Sequence, residues 1–438
     1  MLTLGLDIGT TSISAVVCEG HDVVASKTID NDSRLSGEKW ESLQDAEKIV
    51  ENSFATIHSL CSEYPEVAKI GITGQMHGIV YLDAQGNPVS PLINWKDGRG
   101  DLLINDKESW AQDLSKRTGY RLSTGYGALT HYVNRKKGWI PQGAKVFCTI
   151  GDYLAMKLAG RKTPIIHPTN AASLGLFDLK KGLFDGLALK KAGLAPDLFP
   201  EVSEEGLLGR TEKGIKVHQA IGDNQASFLG ASEGAKDSLL INVGTGSQIS
   251  IYSPDYMEIP GLETRPYVDG GWLLVGAALS GGLSFALLES FFRQTVKMVT
   301  GEERTCYGPM MKAMEEMSPR SSGDVPIISP LFHGTRQDPT LTAAITGLRP
   351  DNFTPQGFIL GMMKGMSHEL YQMFEGYLAQ STRQPLHFIG SGNGLRQNPY
   401  LVQIIEEEFG RPLRLSDRTE EAACGAALYA CQIAGQVD

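Results

Sequence analysis

Two short segments, Gly9-Thr10-Thr11-Ser12 and Gly244-Thr245-Gly246-Ser247, carry the residue types needed to hold a phosphate group. Glycine lets several backbone N–H donors close on one anion, and hydroxyls at fixed offsets add more. One such turn is weak evidence, since hairpins use Gly and Thr for conformational reasons alone. Two, one in each half of the chain, could grip a triphosphate from both sides. Other phosphate-binding signatures are missing: no Gly-Lys dipeptide occurs, hence no Walker lysine, and no Gly-x-Gly-x-x-Gly opens a helix. Binding would therefore lean on N–H groups, hydroxyls and magnesium. Asp7, directly before the first segment, is either a hairpin-turn aspartate or the carboxylate that holds a hydrated Mg²⁺. The second reading is preferred, because Mg²⁺ keeps its waters and takes few protein ligands. A third cluster, Gly390-Ser391-Gly392-Asn393-Gly394, sits between an apolar strand and a helix opening at Asn398-Pro399. In a doubly wound sheet that is where ligands bind. Alone it is equally an ordinary turn capped by Asn398; beside the other two it reads as an adenosine pocket.

The elements that must position these loops show an internal echo. Leu4 to Val17 and Leu240 to Ile251 both run as an apolar strand, Asp or Asn, an apolar residue, Gly-Thr, a small residue and Ser, then a second β-rich strand. That is a hairpin signature repeated far apart, which indicates a duplicated domain. Between and after the hairpins, helical and strand-like stretches alternate. Asp45 to Leu60, Gly151 to Leu158, Gln356 to Leu378 and Pro399 to Phe409 have helical spacing, while Lys69–Thr73 and Leu386–Ile389 read as strands. Such alternation implies an α/β fold in layers. A break near Gly230–Gly234 predicts two domains, residues 1–232 and 233–438, with the ligand in a cleft between them.

The 438 residues suit two or three domains, and 41% hydrophobic with 21% charged residues is ordinary for a globular protein. A net charge of −10 supplies no basic field, which argues against nucleic-acid and acidic-membrane partners. Six scattered cysteines, without a Cys-x-x-Cys pair, suggest neither zinc nor a disulfide framework and fit a reducing compartment. The first residues lack a basic segment and have Asp7 in their apolar run, so no signal peptide is read there. The uncharged stretch from Gly270 to Leu288 has five glycines and acidic flanks. It is read as a strand, a turn and a helix rather than a membrane span. A cytoplasmic location is expected, and a homodimer is compatible with the sequence.

The three glycine loops, in this order, resemble the FGGY family of carbohydrate kinases over nearly the whole chain. Asp7-Ile-Gly-Thr-Thr-Ser12 resembles its first phosphate motif, Gly222-Asp-Asn-Gln225 its catalytic-base motif and Gly244-Thr-Gly-Ser247 its second phosphate motif. Gly390 to Asn398 is similar to its adenosine motif, and Pro330 to Arg336 and Glu421 to Ala427 to further family segments. The resemblance implies two actin-like (ribonuclease H-like) ATPase domains, ATP and Mg²⁺ as cofactors, and a small sugar as the acceptor. By this likeness Thr10, Thr11, Ser12, Gly244, Thr245, Gly392, Asn393 and Asn398 serve the nucleotide. Gly74-Gln75-Met76-His77-Gly78 matches the family's substrate motif, which brings in Met76, and the base motif brings in Asn224. Asn94-Trp-Lys-Asp-Gly-Arg99, with Thr124-Gly-Tyr-Gly127 and Thr130, looks most like the branch acting on sedoheptulose, with the xylulose branch next. The glycerol branch would show Arg-Glu in place of Met76-His77. The chain is on the short side for the family, which puts in doubt insertions that shape substrate choice.

The residues themselves agree with that implication. A sugar needs paired hydrogen bonds to vicinal hydroxyls and a flat ring against its C–H face. Gln75, His77 and Asp97 offer the polar groups and Trp95 the ring. A lone histidine is more often structural; His77 is singled out by its company. Asp223 is the candidate base, orienting the hydroxyl and taking its proton as the P–O bond forms. Its alternative role is to cap the helix after it. A non-catalytic ATPase of the actin type would need no Gln75, His77, Trp95, Asp97 or Asp223 set.

Overall fold

The computed structural model describes residues 1–316, 325–335, 338 and 340–432. Arg336, the last residue of one family-like segment, lies outside the described residues. Two compact units emerge. The first comprises Met1–Gly234, Arg265–Gly271 and the chain from Arg418 on; the second comprises Ala235–Thr264 and Trp272–Asp417.

The first unit is built on β1 (Leu2–Ile8), β2 (Ser12–Glu19), β3 (Asp22–Asp30), β4 (Val67–Gly74), β5 (Leu207–Arg210) and β6 (Lys216–Gly222). They form one sheet in the order β5-β6-β4-β1-β2-β3. The hairpin β1–β2 and its neighbour β3 are antiparallel, whereas β4 runs parallel to β1 and β6 parallel to β4. Leu4, Leu6, Ile8, Ile70 and Ile72 are fully buried. Helices α1 (Ala46–Glu63) and α2 (Ile150–Leu158) close this core with Ile49, Ile57, Tyr153 and Leu154. Asp45 caps α1, accepting from the N–H groups of Glu47 and Lys48. The short helix α3 (Pro168–Leu174) opens with proline at its first turn, and α4 (Asp223–Ala231) follows β6 directly.

The second unit repeats the plan. Its sheet is made of β7 (Ser238–Val243), β8 (Ser247–Ser253), β9 (Glu263–Pro266, of which Glu263 and Thr264 fall in this unit), β10 (Trp272–Ala278), β11 (His387–Ser391) and β12 (Arg414–Leu415), ordered β9-β10-β8-β7-β11-β12. Three antiparallel strands followed by parallel ones on the far side of the first strand match β3-β2-β1-β4-β6. Even the polar residue before each turn has the same neighbour type: Asp7 lies opposite Thr73, and Asn242 opposite Ser391. The echo differs in one detail. Ile8 faces Ile13 across the first hairpin, while Val243 faces Ser247 across the second, so the second turn is tighter by one residue.

Helices α5 (Gly282–Thr300), α6 (Pro355–Leu378) and α7 (Pro399–Phe409) pack on this sheet. The uncharged run from Gly270 is strand β10, a turn and the start of α5. Among the described residues no helix is long and apolar enough to cross a membrane.

The last helix, α8 (Glu421–Gln432), belongs to the first unit, where it lies on β1, β4 and α4. The approach is backbone to backbone. A Cβ on Gly71 would stand 1.9 Å from the Ala426 carbonyl oxygen, and one on Gly425 1.8 Å from that of Ala226. No side chain fits there, which explains the small-residue run Ala422-Ala423-Cys424-Gly425-Ala426-Ala427 in packing terms.

Candidate active site

Strands β1, β4 and β6 run parallel and finish level, with Ile8 and Gly222 both opposite Gly74. The residues that follow are therefore presented together at one edge of the sheet: the Gly9 turn, Gln75 and Asp223. Ligands bind at the carboxyl ends of parallel strands in such sheets.

Two carboxylates meet here. Asp7 is half-buried, and its acid is pushed up to about 7, first by loss of water and then by the negative charges of Asp223 and Glu420. The Asp223 acid is also raised by burial. The amide of Asn224, 2.8 Å from Oδ1, and the Arg265 guanidinium oppose that rise. The expected capping role of Asp223 is corrected by the structure. Gly222 occupies the cap, Asp223 is the first helical residue, and no side chain caps α4. The carboxylate is thus left to the strand-end cluster. Crowded acids of this kind suit a divalent ion. Among the described residues no group of three His, Cys, Asp or Glu could hold a metal alone. Asp7, completed by oxygens of a ligand such as a phosphate, would suit Mg²⁺, which takes few protein ligands.

The sugar candidates divide. Gln75 is buried, with Nε2 donating to Gln44 Oε1 at 3.0 Å, while its Oε1 has no hydrogen-bond partner among the described residues. His77 has a left-handed backbone (φ 71°) and stacks on Tyr126 at 4.6 Å and 10°, which joins two of the family-like segments. Trp95 is exposed, and its indole N–H donates to the Thr10 hydroxyl at 3.0 Å. Met76 is buried against Gly222, with its sulfur 3.7 Å from Asn224 Nδ2. Asp97 behaves differently. It has no exposed surface, both oxygens bind Arg99 (2.6 and 3.1 Å), and one also accepts from the Ser42 N–H. Its carboxylate shapes the loop behind Trp95 rather than facing an opening. The charge pair two positions apart is the sequence signal for this.

Gln44 belongs to no motif. This buried amide accepts from Gln75 and from Asn94 (3.1 Å) and donates to the Thr10 carbonyl (3.2 Å) and the Ser33 hydroxyl (3.0 Å). It thereby ties the first phosphate turn to both sugar-motif segments. Thr11 is exposed at the tip of that turn, and Thr10 and Ser12 are half-buried beside it.

In the second unit the turn Gly244-Thr245-Gly246 rests on the start of α5, whose Gly282 and Leu283 N–H groups donate to the carbonyls of Gly244 and Thr245. Ser247 donates to the Ser280 carbonyl at 2.8 Å. A cavity of about 390 Å³ opens here, lined by Thr245, Gly246, Ser247, Gln248, Leu283 and His333 among others. The third loop packs on the same strand. Gly392 needs its positive φ (88°), and a Cβ there would sit 2.5 Å from the Val243 carbonyl. Asn393 is exposed at the start of the helix Asn393–Arg396. Asn398 is buried and caps α7, accepting from Leu401 N–H at 3.1 Å while its amide faces the Met363 sulfur.

A duplicated ribonuclease H-like sheet with a phosphate-type turn in each copy defines the fold class, that of the actin-like ATPase domains. Residues 2–230 match the N-terminal domain, and residues 239–434 the C-terminal domain, of the FGGY family of carbohydrate kinases. The chain belongs to that family and phosphorylates a sugar hydroxyl with ATP as its phosphoryl donor. It is 27% identical to sedoheptulokinase of Mus musculus over 98% of this chain and 97% of the relative. It is 23% identical to gluconokinase of Bacillus subtilis (strain 168), over 99% of this chain and 88% of the relative. Its fold is similar to a xylulose-type kinase from Brucella ovis (TM-score 0.84, 19% identity, 100% of this chain and 91% of that one). It is likewise similar to Plasmodium falciparum glycerol kinase with ADP (TM-score 0.80, 18% identity, 100% and 90%).

Proposed function

We propose that the chain transfers the γ-phosphoryl group of ATP to a ketose, sedoheptulose first, to give sedoheptulose 7-phosphate, in the cytoplasm. The observation that carries the chemistry is the Asp223 carboxylate. It is freed from capping, raised by burial, and presented at the same strand edge as Gln75. A sugar hydroxyl is too weak an acid to ionise beforehand. Asp223 orients it and accepts its proton while oxygen bonds to the γ-phosphorus and the bond to ADP breaks. Gln75 and His77 hold neighbouring hydroxyls, and the exposed face of Trp95 lies against the sugar carbons. Thr10, Thr11, Ser12, Gly244 and Thr245 bind phosphate oxygens; Gly392 and Asn393 border the adenosine. Magnesium, held through Asp7, would neutralise those oxygens.

The choice of sedoheptulose rests on the full-length likeness to the mouse sedoheptulokinase and on the Asn94–Arg99 and Thr124–Gly127 segments. A coupled assay of ADP release with sedoheptulose, D-xylulose, gluconate and glycerol tests it. The highest kcat/KM is expected with sedoheptulose. A larger value for D-xylulose or gluconate would replace the substrate assignment, and no stimulation by any of the four would sink it.

A further inference from the structure

Helix α3 belongs to none of the site's motifs, yet its side chains reach both His77 and the strand that presents Asp223. We propose that α3 is the positioning element of the site: Ser173 sets His77, and Thr169 with Asn170 sets the strand end from which Asp223 projects. The proposal rests on the reading of His77 and Asp223 as sugar ligand and base.

At one end, the His77 N–H donates to Ser173 Oγ at 3.2 Å. The Ser173 hydroxyl hydrogen goes to the Asn170 carbonyl at 2.7 Å, which turns its lone pairs toward His77. His77 Nδ1 lies 2.6 Å from the Ser173 carbonyl oxygen. A carbonyl only accepts, so Nδ1 carries the hydrogen, and in the neutral ring Nε2 is the acceptor. These bonds, with the Tyr126 stack, hold a backbone at φ 71° that a non-glycine residue rarely adopts. With the ring in that neutral form, a sugar hydroxyl reaching Nε2 donates to it.

At the other end, Thr169 Oγ1 accepts the Gly222 N–H at 3.1 Å. Its hydrogen points to His167 Nδ1 at 2.9 Å, and burial holds His167 neutral, with its pKa lowered to about 3. Asn170 Nδ2 donates to the Ala220 carbonyl at 3.1 Å. Gly222 is the residue before Asp223, so a loosened Gly222 moves the base. Ser173 and Asn170 are joined by the hydroxyl bond, which makes the two ends one unit.

The test compares Ser173→Ala and Thr169→Val in the full chain, using whichever acceptor the wild type turns over fastest. Ser173→Ala is expected to raise the acceptor KM about fivefold with kcat within about twofold. Thr169→Val is expected to lower kcat about fivefold with the acceptor KM near wild type. Equal losses of kcat in both variants with unchanged KM would indicate a merely structural helix and overturn the proposal. Nitrogen-15 NMR of the unliganded wild type should show His77 hydrogen on Nδ1; a signal for the Nε2–H form overturns the His77 half without any variant. If sedoheptulose proves a poor substrate while these results hold, only the substrate assignment falls.

Discussion

The indole nitrogen of Trp95 lies 3.0 Å from the Thr10 hydroxyl, so the exposed ring proposed for the sugar is fastened to the turn proposed for phosphate. The two substrates would then share one rigid support. Trp95→Phe keeps a ring but loses the donor. It is expected to raise the KM for ATP about threefold while sparing the sugar, as befits one exposed neutral hydrogen bond. Trp95→Ala should in addition raise the sugar KM on the order of tenfold. Phenylalanine and wild type with equal ATP kinetics would show that Thr10 needs no such tie.

Asp223→Asn should retain the fold, because Gly222 and not Asp223 occupies the helix cap. Turnover is expected to fall by about 10³-fold, the scale of a lost general base. Circular dichroism melts beside steady-state rates check both halves. A variant with substantial activity would remove Asp223 from the chemistry.

Gln44→Leu leaves the Thr10 carbonyl and the Gln75 and Asn94 amides without their partner. Each stranded buried group costs about 1–3 kcal/mol, so a loss on the order of 3 kcal/mol is expected in urea unfolding. The KM values for both sugar and ATP should rise together, since the amide touches both segments.

Gly425→Ala puts a methyl group 1.8 Å from a backbone oxygen of α4. Backbone cannot step aside cheaply, and a loss above about 3 kcal/mol, or no soluble protein, is expected. Gly410→Ala is the control. It has open space but a φ of 65°, so only about 1 kcal/mol should be lost.

His218 is buried on β6, edge-on to Tyr429 and near Lys69 and Lys216, and its pKa is lowered to about 4 chiefly by burial. Between pH 4 and 6.5 the unfolded chain binds a proton there that the folded chain refuses. The stability it contributes is present above 6.5 and fades as pH falls. Asp7 and Asp152, both raised to about 7, act oppositely: their contribution is full in acid and is lost as pH rises through 7. Only a difference measurement isolates His218. His218→Phe, whose wild-type ring nitrogens have no hydrogen-bond partner among the described residues, should reduce the change of stability with pH in that window by about 1.4 kcal/mol per unit. Parallel curves for variant and wild type would contradict this.

Local chemistry accounts for what is legible in the sequence. The hairpins at Gly9 and Gly244 announce themselves through alternation and turn residues; α7 begins at its expected residue because Pro399 marks it, and α6, expected from Gln356 by its spacing, begins one residue earlier at Pro355. The repeated Asp7 and Asn242 turns announce the duplication and fix the β1–β2 and β7–β8 pairings. The one-residue difference in register does not, since it depends on cross-strand pairing. Asp223 reads as a cap because aspartate favours that position; in the fold the preceding glycine takes the non-helical conformation first. Asp97 reads as a polar ligand when taken alone; the Arg99 two positions on is the local hint of the pair that engages it, and the fold shows that both its oxygens are taken. Gln44 has no local signature at all. Its four partners are scattered from Thr10 to Asn94, and only the tertiary fold gathers them.

The placement of α8 has a consequence for how the protein is made. When a ribosome has delivered the first 234 residues, β1 and β4 carry a bare trough of glycine, shaped for a helix whose codons are still unread. The whole sheet of the second unit must be synthesised before that lid exists. Completion of the first unit is thereby deferred until Gln432 has been joined, which leaves its core partly open while the second unit is made.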